Sequence, residues 1–296
     1  MTETTTESEQ SPTKTLLIVF MVAILPVLIG LYTAPKLITE PKIGIIRLTY
    51  DIDSYTAYEI GAQLTYARQH DDIQGVVVIM NSPGGTASHS EELFMDILHT
   101  RQSLPVIASV DLVAASGAYY MAAAANEIYA KPTSYIGSIG VIASLPDGVF
   151  IEEDILTTGP YKAFGGTRIT NIEQIETAKF AFLEAVQIGR GDRLQVTPEF
   201  LSRAEVYSGI QAKSYGLIDG LAATDEAIAR AAELAGLRNY QTVELFDLTF
   251  PTATTTDDTT TYQPTIPHLV QPNTLWQKPY LAPGLYYRYL GTPVES

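Results

Sequence analysis

One serine stands where an apolar run changes into a helical pattern. The stretch AASGAYYMAAAANEIYA, residues 114–130, places Ser116 at a strand-to-helix junction. A serine hydroxyl at such a junction can act as a nucleophile. The same small residues also suit a packed turn, because they are common where backbones approach closely. This stretch alone leaves both interpretations open.

A glycine pair precedes this serine in the chain. The motif NSPGG ends in Gly84 and Gly85 and follows a continuous apolar run. Two glycines let a substrate approach the backbone and let N–H groups point outward, as an oxyanion hole requires. Alone, SPGG is equally an ordinary tight turn. With a serine at the next helix start, the hypothesis is that Ser116 attacks a carbonyl group. The N–H groups of Gly117 and of Gly84 or Gly85 would then hold the oxyanion.

The serine hydroxyl also needs a general base, which histidine or lysine could supply. His89 and His99 fall in or beside the helix after SPGG, where a solvated or packed histidine is the more common case. Lysine serves when an apolar site keeps its amine uncharged. The candidates are Lys131 in a turn before Pro132, Lys179 and Lys213 on helices among solvated positions, and Lys162. Lys162 is favoured because its segment, TTGPYKAFGGTR, combines glycines and aromatics with few charges, although composition does not decide the choice.

The elements that would hold these residues alternate between strands and helices. Strands are predicted at residues 43–49, 75–80 and 105–110, and helices at 55–72, 88–101 and in the stretch after Ser116. Such a βαβαβα order indicates parallel strands and an α/β fold. Ligands gather beyond the carboxyl ends of these strands, where NSPGG and AASG both lie. Further helices at 171–189, 198–204 and 225–237 complete one predicted catalytic domain of residues 40–248.

The N-terminal residues predict a membrane anchor. Residues 1–14 are polar and rich in threonine and glutamate, which predicts a disordered tail. A transmembrane helix is predicted over residues 15–34, because residues 15–32 carry no charge and about 20 apolar residues span a bilayer. The competing interpretations are a buried core helix, which would show a polar face, and a cleaved signal peptide, which would have a shorter apolar stretch. The basic residues flanking the span would by themselves keep the large domain in the cytoplasm.

The C-terminal residues fall into two parts. Residues 249–270 form a Thr/Pro-rich linker without periodicity. Residues 271–296 are different, because they place one tryptophan and several tyrosines between prolines. So many aromatics indicate docking, with three candidate places: a neighbouring subunit, the membrane interface or the cleft.

The composition excludes several classes of function. The 296 residues carry 18 basic and 33 acidic side chains, and the net charge of −15 repels nucleic acid. No cysteine is present, so disulfides and thiolate sites are excluded, and the 4 histidines lack HExxH spacing. Neither a cofactor nor a metal is therefore expected.

Four ordered motifs resemble the signal peptide peptidase A family of membrane-bound serine proteases. They are NSPGG (81–85), AASGAYYMAAAANEIYAKPTSYIGSIGVI (114–142), GPYKAFGGTR (159–168) and VYSGIQAKSYGLIDGLA (206–222). The resemblance implies a Clp-protease/crotonase-like α/β spiral with a largely parallel sheet. It also implies a Ser/Lys dyad, in which Ser116 is the nucleophile and Lys162 the base.

The resemblance implies roles for four further residues. Gly84 or Gly85, together with Gly117, would be the oxyanion donors. Ser138 in GSIG matches a serine that orients the lysine, although alone it could be a turn serine. The stretch between GSIGV and the lysine is shorter than in typical members, and the residues around the lysine differ. Neither departure removes the dyad.

The resemblance also implies a setting for the enzyme. Because the chain has one copy of the unit, a homo-oligomer is expected, in which Lys162 serves the Ser116 of a neighbouring subunit. The family's orientation places the catalytic domain of this single-pass cell-membrane protein outside the cytoplasm, against the charge count. The expected substrates are remnant signal peptides and other membrane-proximal peptides.

Rival interpretations stay open at this point. A crotonase-type acyl-thioester enzyme would share the fold and use two backbone N–H groups without a nucleophilic serine. A relative of the stomatin-operon peptidases would trim one partner protein, and a non-catalytic membrane scaffold would perform no reaction. The presence of both Ser116 and Lys162 argues against the scaffold.

Overall fold

The computed structural model describes residues 12–29, 32, 40–144, 158–159, 161–162, 165–251 and 284–288. Backbone contacts divide the chain into two units, residues 1–40 and 41–296. In the first unit, helix α1 (Pro12–Val19) leads into a π-helical segment (Phe20–Ile24) and a helical stretch at residues 25–29. Within the described residues, no helix combines the length and apolar character that crossing a bilayer requires. The membrane helix at residues 15–34 stays a prediction.

The second unit alternates strands and helices. Its strands are β1 (Lys42–Leu48), β2 (Ile73–Ser82), β3 (Gly84–Thr86), β4 (Val106–Ala115), β5 (Glu127–Ala130), β6 (Tyr135–Gly137), β7 (Ile142–Ser144), β8 (Val206–Ser208), β9 (Gly220–Leu221), β10 (Gln241–Glu244) and β11 (Gly284–Arg288). Its helices are α2 (Ser54–Gln69), α3 (Ala87–Thr100), α4 (Gly117–Ala122), α5 (Arg168–Arg190), α6 (Pro198–Leu201), α7 (Gly209–Ser214), α8 (Thr224–Leu234) and α9 (Leu245–Thr249), with a 3-10 turn at Gly191–Arg193. The predicted α/β class is confirmed.

An eight-stranded, mostly parallel sheet forms the centre of this unit. Six strands follow the order β10-β1-β2-β4-β5-β9, and all of these neighbours are parallel. Strand β6 pairs in parallel with the last residues of β4, and β8 pairs antiparallel with β6. Because β2, β4 and β6 run in one direction, their carboxyl ends meet at one edge of the sheet.

The central strands are buried on both faces, as their continuous apolar runs predict. In β2, Val76 and Val78 face the larger core, which α2, α3 and α4 cover. The alternate residues Val77 and Ile79 face a smaller core that includes Ala227 of α8. Because successive side chains of a strand point to opposite faces, each central strand contributes to the cores on both faces of the sheet.

The helix predicted after Ser116 is shorter than the pattern indicates. It ends at Ala122, and residues 127–130 form β5 instead. Between them, Asn126 bonds to the start of β4: its amide donates to the carbonyl of Val106, and its side-chain oxygen accepts from the amide of Val106. These two bonds end the helical segment beside the sheet and start a new strand.

A second, three-stranded sheet lies apart from the first. Its order is β3-β11-β7, and both pairings are antiparallel. Strand β11 comes from the aromatic C-terminal segment, which was predicted to dock. Residues 252–283, which include most of the predicted linker, and residues 1–11 of the predicted tail lie outside the described residues.

Candidate active site

Ser116 occupies the turn between β4 and α4 in a strained backbone conformation. Its φ is 54° and its ψ is −123°, and only 1% of the residue is exposed. A side chain in such a region costs about 1–3 kcal/mol and persists only where the surroundings enforce it. The Ser116 N–H donates to the carbonyl of Gly137 at 2.7 Å, and its carbonyl accepts from the N–H of Tyr120 at 2.9 Å. These bonds hold the serine at the N-terminal end of α4.

Ser138 follows the neighbouring strand at the same level. In the β4–β6 register Ala115 pairs with Gly137, so Ser116 and Ser138 are the next residues on two adjacent strands. Ser138 also has a positive φ, 52°, and its N–H donates to the carbonyl of Glu205 at 2.8 Å. The structure thus brings the two predicted serines to one edge of the sheet.

The glycine motif reaches the same edge from the other side of β4. Ser82, the last residue of β2, pairs with Ala114 two residues before Ser116. The N–H of Gly84 donates to the hydroxyl of Ser82 at 3.2 Å, and Gly84 has a φ of 102°. Strand β3 also contacts α4, the helix that Gly117 begins. As the first helical residue, Gly117 has no intrahelical acceptor for its N–H.

Strand β3 is held in place by the backbone of Ile52. The Ile52 N–H donates to the carbonyl of Gly84 at 2.9 Å, and the Thr86 N–H donates to the carbonyl of Ile52 at 2.8 Å. A Cβ at Gly85 would lie 2.0 Å from the Ile52 oxygen, so only glycine fits there. Because neighbouring residues of a strand point their backbone groups to opposite sides, the N–H and C=O of Gly85 face away from Ile52.

The loop that carries Ile52 is fixed by two polar contacts. The Tyr50 hydroxyl donates to Oε2 of Glu59 at 2.6 Å. Burial raises the pKa of the Glu59 carboxyl, although the hydrogen bond from Tyr50 opposes that change. Asp53 caps α2, because its Oδ1 accepts from the N–H groups of Tyr55 and Thr56, each at 2.9 Å. Ile52 is therefore a rigid support for β3.

A buried ion pair fixes the loop that packs against α4. Arg190 is 1% exposed, and its guanidinium donates to both oxygens of Asp219 at 2.7 and 3.0 Å. Burial alone would raise the pKa of Asp219. The hydrogen bonds and charge of Arg190, the N–H of Ile128 and the charge of Arg193 together outweigh burial and lower that pKa. Two residues before Asp219, the carbonyl of Leu217 accepts from the Tyr119 hydroxyl of α4 at 2.8 Å. The pair thus fixes the loop on which α4 rests.

The structure places Lys162 in an exposed turn outside the sheet. Its N–H donates to the carbonyl of Gly159 at 3.4 Å, and the Gly165 N–H donates to the carbonyl of Tyr161 at 2.8 Å. Among the described residues, the Lys162 ammonium has no ion pair or hydrogen bond. The predicted dyad is therefore not joined by a described contact within one chain.

The other candidate bases have partners elsewhere or are exposed. Lys131 pairs with Asp111 and Lys179 with Glu176. An ammonium held by a carboxylate is not the uncharged amine that a general base requires. His89 bonds through Nδ1 to the hydroxyl of Thr86 at 2.6 Å, while Lys213 and His99 are exposed. No group of acidic and histidine side chains within the described ranges could hold a metal ion.

Comparison with known proteins identifies the domain that contains these residues. Residues 99–238, which include Ser116, Ser138 and Lys162, match peptidase family S49. This part of the chain is similar to the S49 peptidases. Residues 37–136 also match the Clp protease family, which agrees with the mostly parallel sheet and gives a Clp-protease-like α/β fold.

Several curated relatives of the chain are named as proteases. The chain is 30% identical over 196 residues to Protease 4 of Salmonella typhi, covering 60% of this chain and 31% of that protein. It is 30% identical over 216 residues to the chloroplastic serine protease SPPA of Arabidopsis thaliana, covering 68% and 32% respectively. Protease 4 of Haemophilus influenzae is 30% identical over 200 residues, with 61% and 32% covered. The aligned part spans about a third of each relative.

Two residues of the candidate site were not predicted from the sequence. Ser82 accepts the Gly84 N–H, and its place directly before the Pro-Gly-Gly turn was the available signal. Ile52 clamps β3 through its backbone alone. No side-chain pattern reveals such a role, because any residue supplies the same N–H and C=O groups.

Proposed function

We propose that the chain is a membrane-anchored serine endopeptidase that works by a Ser/Lys dyad. One observation carries the proposal: Ser116 lies in a strained turn at the edge where the glycine motif and Ser138 also end. Strain of this kind at a strand-to-helix turn is a feature of nucleophilic serines in other hydrolases.

The reaction begins when Oγ of Ser116 attacks the carbonyl carbon of a peptide bond. Nζ of Lys162 accepts the hydroxyl proton, and the N–H groups of Gly117 and Gly85 hold the oxyanion. Between the two glycines of the motif, Gly85 is favoured because the Gly84 N–H already donates to Ser82. The intermediate collapses to an acyl-enzyme, and the protonated lysine returns the proton to the leaving amine. Water activated by the same lysine then releases the acid product. Ser138 orients the lysine.

The proposed assembly is a homo-oligomer in which Lys162 approaches a neighbour's Ser116. The exposure of Lys162 supports this arrangement. Helix α5, which follows the lysine segment, also exposes four large apolar side chains: Ile169, Ile172, Phe180 and Ile188. Apolar side chains on one element favour association with another subunit.

The proposed substrates are remnant signal peptides and other membrane-proximal peptides. Residues 15–34 would anchor the enzyme in the cell membrane, with the catalytic domain outside the cytoplasm. The absence of charge from residues 15–32 supports the anchor, as do the exposed apolar side chains of Leu16, Leu17 and Val22.

The test is hydrolysis of an unfolded protein by the detergent-solubilised chain and its variants. Ser116→Ala and Lys162→Ala should each abolish turnover while circular dichroism shows a folded protein. Lys213→Ala, which removes an exposed lysine from α7, is the matched control and should retain full activity. Persistent hydrolysis by Ser116→Ala would refute the assignment of Ser116 as the nucleophile.

A further inference from the structure

The C-terminal strand β11 lies between two elements of the active site. Residues 286–288 pair antiparallel with β3, in the register Tyr286 to Thr86, Tyr287 to Gly85 and Arg288 to Gly84. Residues 284–286 pair antiparallel with β7, in the register Gly284 to Ser144, Leu285 to Ala143 and Tyr286 to Ile142. One extended segment is therefore bonded on both sides, and one of its partners is the glycine motif.

The edge of β3 that β11 occupies is the edge that faces the site. The opposite edge is taken by Ile52, which binds the Gly84 carbonyl and the Thr86 N–H. The N–H and C=O of Gly85 therefore point toward β11, where Tyr287 is the paired residue. Strand β11 also lies beside α4, the helix that starts directly after Ser116.

Strands β3 and β7 enclose a slot one strand wide. Neighbouring strands lie about 4.8 Å apart, so the two edges face each other across roughly 10 Å. Main-chain groups on both sides can bind any extended peptide, because strand addition depends on backbone hydrogen bonds. An antiparallel peptide in this slot passes the glycine turn and the helix that starts directly after Ser116.

We infer that this slot is the peptide-binding groove and that residues 284–288 of the chain occupy it as a competitor of external peptides. The inference rests on the proposed function for the identity of the external ligand. It concerns the chain's own segment, which is tethered to the domain through residues 252–283. A tethered ligand has an effective concentration on the order of millimolar, so even a weakly binding segment competes well.

The test compares full-length chains that carry Ser116→Ala, so that no cleavage disturbs the measurement. In one, Tyr286→Pro and Tyr287→Pro remove two successive N–H groups, one toward each side of the slot. In the control, Thr255→Pro and Thr256→Pro place the same change in the linker. Hydrogen exchange is followed at Gly85, with Thr86 as an internal reference because Ile52 binds its N–H in either case.

The tail variant should show faster exchange at Gly85 and in residues 142–144, with no change at Thr86. The linker control should exchange like the parent protein. A synthetic peptide of residues 280–292, added to the tail variant, should restore the slow exchange. Unchanged exchange at Gly85 in the tail variant would overturn the inference.

Activity then separates this inference from the proposed function. With Ser116 intact, the tail variant should show a lower KM for a short peptide substrate and an unchanged kcat. If the segment fills the slot for nine-tenths of the time, KM should fall about 10-fold. If the exchange rates change as expected but no chain hydrolyses the peptide, the proposed peptidase function is refuted, while the inference that residues 284–288 occupy the slot still holds. If both proline variants hydrolyse the peptide with the same KM, the inference that residues 284–288 compete with substrate is refuted, while the proposed peptidase function still holds.

Discussion

The backbone of Ser116 has a positive φ, a conformation that glycine adopts readily and that strains a serine. Two hydrogen bonds, to Gly137 and from Tyr120, fix this turn. Glycine would adopt this conformation at a lower cost, since it has no Cβ to clash. A side chain kept there at a cost is the physical argument that its hydroxyl has a function.

This argument predicts different stabilities for two inactive variants. Ser116→Gly should be more stable than Ser116→Ala by about 1 kcal/mol, because alanine keeps the strain and glycine relieves it. Urea unfolding of both variants measures the difference. Equal midpoints, or a more stable alanine variant, would contradict the assigned strain.

Asp219 makes a second prediction at the level of single residues. Its folded pKa is lowered, so the paired carboxylate stabilises the fold above the unfolded value of 3.8. That contribution is lost as the pH falls through the lower, folded pKa. Asp219→Asn should cost about 3–5 kcal/mol at neutral pH, because it leaves the Arg190 charge buried without its partner.

The pH dependence provides the check on this ion pair. The difference in unfolding free energy between the parent chain and Asp219→Asn should shrink once the pH falls below 3.8. Urea titrations between pH 3 and pH 7 measure it. A difference that stays constant over that range would show that the pair does not contribute through its charge.

At the scale of elements, the position of β3 decides whether the site can form. Gly85→Ala would push a Cβ into the Ile52 carbonyl, which is backbone and cannot rotate away. Displacing β3 removes one proposed oxyanion donor, so kcat should fall by about 10²–10³-fold.

Gly75→Ala is the matched control for this change. Its Cβ would meet the Ile43 side chain at 3.1 Å and the Pro105 ring at 3.3 Å, and side chains can adjust more readily than backbone. Kinetics of both variants on one peptide substrate test the prediction. A Gly85→Ala enzyme as active as Gly75→Ala would show that β3 is not part of the site.

The long elements could be predicted from the sequence, and the short ones could not. Strands β1 and β2 and helices α2, α3 and α5 have apolar patterns long enough to identify, and their bounds fall within a few residues of the prediction. Strands such as β3, β6 and β8 have three residues each, too few to show a period of two. Their pairing depends on partners far away in the chain, which no local pattern reveals.

Some parts of the candidate site could likewise be predicted from the sequence, and others could not. Ser116 and the glycine motif were singled out by their types and order, and Ser138 by the family resemblance. The structure places all of them at one edge of the sheet. The support from Ile52 and the entry of β11 beside β3 could not be predicted, because both act through the backbone. Resemblance supplied Lys162, which composition alone left open.

At the scale of the whole molecule, the proposed dyad needs two subunits. This arrangement predicts complementation between two inactive variants, Ser116→Ala and Lys162→Ala. After dissociation and joint reassembly, about a quarter of the sites should pair an intact serine with an intact lysine, if subunits mix at random in a closed ring. Reassembly with a chain that carries both changes is the control and should stay inactive. An inactive mixture of the two single variants would contradict the shared site.

The most direct test of the central claim is the covalent intermediate. The assembled enzyme is incubated with an activated peptide ester and quenched in acid, and the acylated fragment is located by mass spectrometry. The proposed mechanism predicts one acyl group on Ser116, absent from Ser116→Ala and much reduced in Lys162→Ala. An acyl group on another residue, or ester turnover by Ser116→Ala at the parent rate, would contradict it.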